Sequence, residues 1–247
     1  MNLSVDINYQ NCKHSSLTEQ VIRTLTTTII YLYNLNFKKL PKSHKIFIDP
    51  TFEYPQAYKS ARMILIACDP LYYSQFAYQY CHELCHLMID DEVFEDYRWF
   101  EESLCELASI YFMPLISDEW MRNHINFATS DGRLYAPLFV EYSNNIMSKD
   151  LYPFDLRELS NEKSEISKCL KENPYHRDLN KYVAIKLLPY FKEIVNLWEF
   201  VPSIGSIQTS MPFPEFIESW YQLNNSSKLS NSGISSLFIP NDFETNS

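Results

Sequence analysis

The sequence predicts an α+β protein in which a small sheet packs on a central helix, a second helix carries acidic residues, and the C-terminal part is mainly helical. Three observations predict it. The runs "HKIFIDP" and "ARMILIACDP" are short, rich in β-branched residues and each ended by Asp-Pro, which reads as two strands. Residues 69–89 are apolar nearly all round, the mark of a helix at the centre of a domain. Beyond Asp150 the apolar residues recur at helical spacing.

In chain order, "SLTE" at 16–19 has the form of a capping box, with Ser16 accepting from the backbone and Glu19 reaching back, and it opens a helix to about Tyr33. Asp69 suits an N-cap and Pro70 the first helical position, so the central helix runs from there to roughly Ile89. Residues 90–102 carry Asp90, Asp91, Glu92, Glu95, Asp96, Glu101 and Glu102 against one Arg98, and the first five of these acids read as a solvated connection. A further helix follows from about Trp99 to Met113. Leu104, Leu107, Ala108, Tyr111 and Phe112 form its apolar side, Pro114 stops it, and Glu102 and Glu106 share a different face. Amphipathic helices are expected near 156–172 and 179–200, the latter kinked by Pro189. The polar stretch "NNSSKLSNSGISS" predicts a loosely held tail, tacked down by "LFIP". The expected division is 1–150, then a helical part 151–222, then the tail 223–247.

Composition narrows the functional classes. With 247 residues, 46% of them hydrophobic, the chain can bury one large core, or one domain with a smaller helical appendage. Three glycines against thirteen prolines leave little for phosphate-cradling loops, and neither a Walker-type loop nor a dinucleotide fingerprint occurs. The formal charge of −10, with no basic stripe, argues against a nucleic-acid partner, whose phosphates demand clustered Lys and Arg. The opening "MNLSVDINYQ" lacks the basic start and apolar block of a signal peptide, and no run is long enough to span a bilayer, so no membrane partner is expected. Six cysteines at irregular spacing, mostly in apolar runs, suit reduced thiols in a cytoplasmic protein better than a disulfide framework. Cys81 and Cys85 lie one step before His82 and His86 and are expected to pack in the core.

The motif that carries chemistry is "HELCH" at 82–86. Helical residues four apart share a face, so His82 and His86 can offer two imidazoles to one zinc ion at about 2.0–2.1 Å. A catalytic zinc also needs a third protein ligand and a position open to water. Glu83, rotated by one step, can lie beside that water, which is the mechanical content of an HExxH pattern.

Followed by "WFEESLCELAS", this motif resembles the gluzincin metallopeptidases of zincin-like fold, in which a zinc-ligand Glu opens a second helix in a pattern close to W-x-x-E-G-x-x-E. Trp99 takes the Trp position, Glu102 the ligand position and Glu106 that of an outer-shell acid, while Ser103 replaces the usual Gly. The ending "ELASIYFMP" resembles the ImmA/IrrE-type metallopeptidases, whose second helix commonly closes in Leu-Met-Pro. The resemblance covers about residues 60–115. The link from His86, residues 87–101, is shorter than in thermolysin-like or aminopeptidase relatives, and counting back from Met113 and Pro114 selects Glu101 as an alternative metal ligand. Glu102 is preferred because Glu106, four residues on, can take a histidine N–H and fix the ring.

The resemblance implies zinc-assisted hydrolysis of a peptide or protein substrate, with Glu83 as general base and 1–150 as the catalytic domain. Tyr135, Tyr142, His124 and His176 are unranked candidates for an oxyanion donor, and among eighteen tyrosines simple packing is the plain reading of any one. The strand in "ARMILIA" reads either as a cleft edge to which a peptide adds or as a core strand. Two other readings stand beside the peptidase. One is a zinc-binding regulatory or interaction protein on the same scaffold, with little or partner-restricted proteolysis. The other is a metal-free helical protein in which His82 and His86 are core histidines.

Overall fold

A computed structural model describes residues 4–123, 125–127, 131–149, 152–194, 196–224 and 238. The fold is α+β, with a four-stranded mixed sheet and helices making up most of the chain. Two compact units divide it: Met1–Met88 with Cys105–Lys149, and Ile89–Leu104 with Asp150–Ser247. Apart from Leu223, Asn224 and Phe238, the expected tail lies outside the described residues.

In the first unit, strands β1 (Val5–Tyr9), β2 (His44–Ile48), β3 (Gln56–Tyr58) and β4 (Met63–Ile66) form one sheet in the order β1-β2-β4-β3. β1, β2 and β4 are parallel, with Val5 opposite His44 and Lys45 opposite Met63, and β3 runs antiparallel to β4. Ile46, Ile48, Ile64 and Ile66 alternate inward and are fully buried, which is why these short runs hold one register. Because β4 is paired on both sides, "ARMILIA" is a core strand, and the edges are β1 and β3.

Helix α1 (Ser16–Phe37) starts one residue earlier than the capping box places it. Ser15 is the N-cap, its hydroxyl accepting from Thr18 N–H at 3.1 Å, and Glu19 instead pairs with Arg23 one turn on, at 2.8 Å. Helix α2 (Tyr73–Met88) starts later than expected, since Asp69 accepts from Leu71 N–H at 2.9 Å and caps a separate turn ahead of the helix. α2 packs against α1, β3, β4 and helix α4 (Ala136–Ser148), and is the central helix of the unit. Tyr33 of α1 donates its hydroxyl to the Cys81 carbonyl and stacks on Phe112 with ring centroids 4.3 Å apart, fixing α2 in rotation.

Helix α3 (Arg98–Arg122) runs through Pro114, eight residues past the expected stop. Proline there removes the N–H that bonds the Ile110 carbonyl. Ser143 of α4, fully buried, supplies a substitute donor to that carbonyl at a long 3.5 Å, so the helix continues into the core instead of ending. At its far end Trp120 is buried and donates its indole N–H to Thr28 at 3.1 Å.

His44 links β2 to α2. Its Nδ1 lies 2.8 Å from the Lys42 carbonyl and its Nε2 2.8 Å from the Tyr80 hydroxyl. A carbonyl only accepts, so Nδ1 carries the hydrogen and Nε2 accepts from Tyr80. Burial pulls the pKa of His44 below its ordinary value, because the charged ring loses its hydration. Between that lowered value and about 6.5 the unfolded chain binds a proton the folded chain does not, so stability falls as pH falls through this window. The urea midpoint of the wild type is expected to drop more between pH 7 and pH 5 than that of His44→Gln. Parallel profiles would contradict this.

In the second unit, residues 89–97 are held to the C-terminal part rather than merely solvated. The acids at 90, 91, 92 and 95 are exposed as expected, yet Val93 and Tyr97 are buried. Tyr97 donates to the Met211 carbonyl at 2.6 Å, and Asp90 N–H donates to the Pro202 carbonyl at 3.0 Å. A Cβ at Gly205 would collide with the Asp91 carbonyl, so glycine is required at that approach. Trp99 and Phe100 pack with Phe213, Phe216 and Trp220, from or beside helix α8 (Phe213–Asn224), and with Phe238 of "LFIP". The stretch 156–172 is interrupted: a 3-10 turn at Leu156–Ser160 precedes α5 (Glu165–Glu172), which Ser164 caps at 3.0 Å. α6 (Arg177–Glu193) contains Pro189 and ends before the short α7 (Leu197–Phe200).

Candidate metal centre

The central helix presents His82 and His86 from one face, with ring centroids 5.1 Å apart. Both are half-buried, whereas Glu83, one residue round, is 4% exposed. Tyr78, one turn before His82, belongs to the same stripe, since positions 78, 82 and 86 fall on successive turns.

Helix α3 meets this stripe through Glu106 and Ser109. Glu106 Oε2 lies 3.6 Å from His82 Nδ1, just beyond hydrogen-bond reach, and the other carboxylate oxygen accepts from the Tyr78 hydroxyl. The Tyr78 carbonyl in turn accepts from Ser109 at 2.9 Å, so one residue of α2 is tied to α3 through both backbone and side chain. The Cys105 sulfur and one ring nitrogen each from His82 and His86 all lie within 4.8 Å of one another. Cys105 itself is fully buried. Two imidazoles with a sulfur or carboxylate are the donors zinc favours, so the residues present fit that ion.

Glu101 and Glu102 lie near the start of α3, in the second unit, the former 6% exposed and the latter half-buried. Among the oxyanion candidates, Tyr142 packs its ring 5.5 Å from that of Tyr78, and Tyr135 packs edge-on to Tyr73 at 5.3 Å. His176 is in the second unit at the N-cap of α6, with its Nδ1 buried and unbonded, and His124 lies outside the described residues. Cys81 and Cys85 are fully buried, and burial drives the Cys81 thiol well above its usual pKa. None of the six cysteines forms a disulfide.

Sequence reasoning missed Cys105 and Tyr78. Helical spacing is the signal for both: Cys105 stands three residues after Glu102 and Tyr78 four before His82.

No family model matches the chain, and neither the curated proteins nor the solved structures contain a match. Among the described residues no helix is long and apolar enough to cross a membrane.

Proposed function

We propose that the chain is a zinc-dependent metallopeptidase with a zincin-like core, acting on peptide or protein substrates in the cytoplasm. One observation carries the reading: His82 and His86 share a face of the central helix while a carboxylate of the next helix, Glu106, stands against His82 Nδ1. With Glu106 beside Nδ1, Nε2 is the nitrogen left to bind a metal, and a small closing of the 3.6 Å gap would let the carboxylate take the Nδ1 hydrogen and hold the ring.

His82, His86 and Glu102 are the proposed ligands. Glu102 precedes Glu106 by one turn on the unbroken α3, so helical spacing puts both on one face. A bound zinc ion supplies a Lewis acid and makes water a usable nucleophile near neutral pH. Glu83 takes the proton from the attacking water and later passes it to the leaving amine. At 4% exposure Glu83 is largely shielded from bulk water. The substrate backbone is proposed to add to the outer edge of β3, the strand of the sheet edge that packs against α2.

Elemental analysis of two variants tests the ligand set. Glu102→Ala is expected to lose most of its zinc and Glu101→Ala to keep it. The reverse would select the ImmA/IrrE-like register, and full retention in both would put the third ligand elsewhere.

A further inference from the structure

Cys105 has no part in the proposed hydrolysis, yet its sulfur is one of three donor atoms that converge within 4.8 Å, the other two being nitrogens of His82 and His86. We propose that Cys105 is a thiolate ligand of the metal that these histidines hold, an inference that rests on the metal-centre reading above and adds a donor to it. The convergence is built rather than accidental. His82 Nδ1 stands 3.6 Å from Glu106, the residue next to Cys105, and the two helices are locked by the Tyr78 hydroxyl on Glu106 and by Ser109 on the Tyr78 carbonyl. Cys105 is fully buried, so little room exists for its sulfur to turn toward solvent.

Binding converts the thiol to a thiolate: the S–H bond breaks, its proton leaves to solvent, and a sulfur lone pair forms the bond to the metal. With Glu102 as proposed above, the centre then holds two imidazoles, one carboxylate and one sulfur, a set that suits zinc and disfavours magnesium or calcium. A sulfur in that set also takes up a position that a catalytic site leaves to water, so the centre is closed while the sulfur is bound. This gives the site a latent form set by its own chain.

Cobalt(II) tests the assignment without any substrate, because a thiolate ligand adds an intense sulfur-to-cobalt charge-transfer band in the near ultraviolet that nitrogen and oxygen donors lack. The metal-free full chain, kept reduced, is titrated with cobalt(II). The wild type is expected to bind one equivalent and develop the band. Cys105→Ser, close in size and checked for folding by circular dichroism, is expected to bind cobalt more weakly and to lose the band, because the sulfur donor is gone. The double variant Cys81→Ala, Cys85→Ala is expected to keep it. One bound cobalt in the wild type without the band, or a band that survives in Cys105→Ser or vanishes in the double variant, overturns the role of Cys105 and leaves the histidine site standing. No cobalt bound by the wild type overturns both.

Discussion

Replacing Glu83 with Gln is expected to leave the zinc in place and to lower peptide hydrolysis by about 10²–10⁴-fold, the usual contribution of a general base. The two side chains have nearly the same shape, so the buried position at 4% exposure is filled as before. What is lost is the ability to take a proton, since an amide is not a base at neutral pH. The drop should fall on kcat rather than KM, because the proton moves only during reaction. A peptide library with mass-spectrometric readout supplies the substrate for this assay. Equal cleavage by wild type and Glu83→Gln would contradict the mechanism while sparing the metal site. A fully zinc-loaded wild type that cleaves nothing, alone or with candidate partner proteins, would favour the regulatory scaffold.

Replacing His86 with Ala is expected to abolish both zinc retention and hydrolysis, since no neighbouring residue offers an imidazole from that turn of α2. Glu106→Ala gives the graded comparison. It removes the carboxylate 3.6 Å from His82 Nδ1 but no proposed ligand, so zinc affinity should fall about 10–100-fold. Zinc titration with a chromophoric chelator as competitor measures both. A Glu106→Ala protein with unchanged affinity would mean that the carboxylate does not support the histidine.

The parts of this fold legible in the sequence were those with a local cause. β2 and β4 announce themselves through β-branched runs closed by Asp-Pro, and α2 through an apolar surface on every side. Each missed boundary had a non-local cause. Pro114 reads as a stop because proline lacks the N–H that Ile110 needs, and only the packing of α4 brings Ser143 to that carbonyl. Asp69-Pro70 reads as a helix start because the same two residues also serve a turn, and the choice is made by where β4 delivers the chain. β1 was missed although Val5, Ile7 and Tyr9 alternate, since five residues near a terminus gain strand character only by pairing with β2. The site shows the same split. The stripe of His82 and His86 follows from helical spacing alone, whereas the approach of Cys105 and Glu106 depends on how α3 is rotated against α2.

The central claim is that His82 and His86 hold a metal ion, and metal stoichiometry of the purified chain tests it most directly. Native mass spectrometry of the metal-free wild type after equilibration with zinc should show one ion per chain, removed by a strong chelator and absent in His82→Ala and His86→Ala. A wild type that binds no zinc, or histidine variants that bind as much as the wild type, would contradict it.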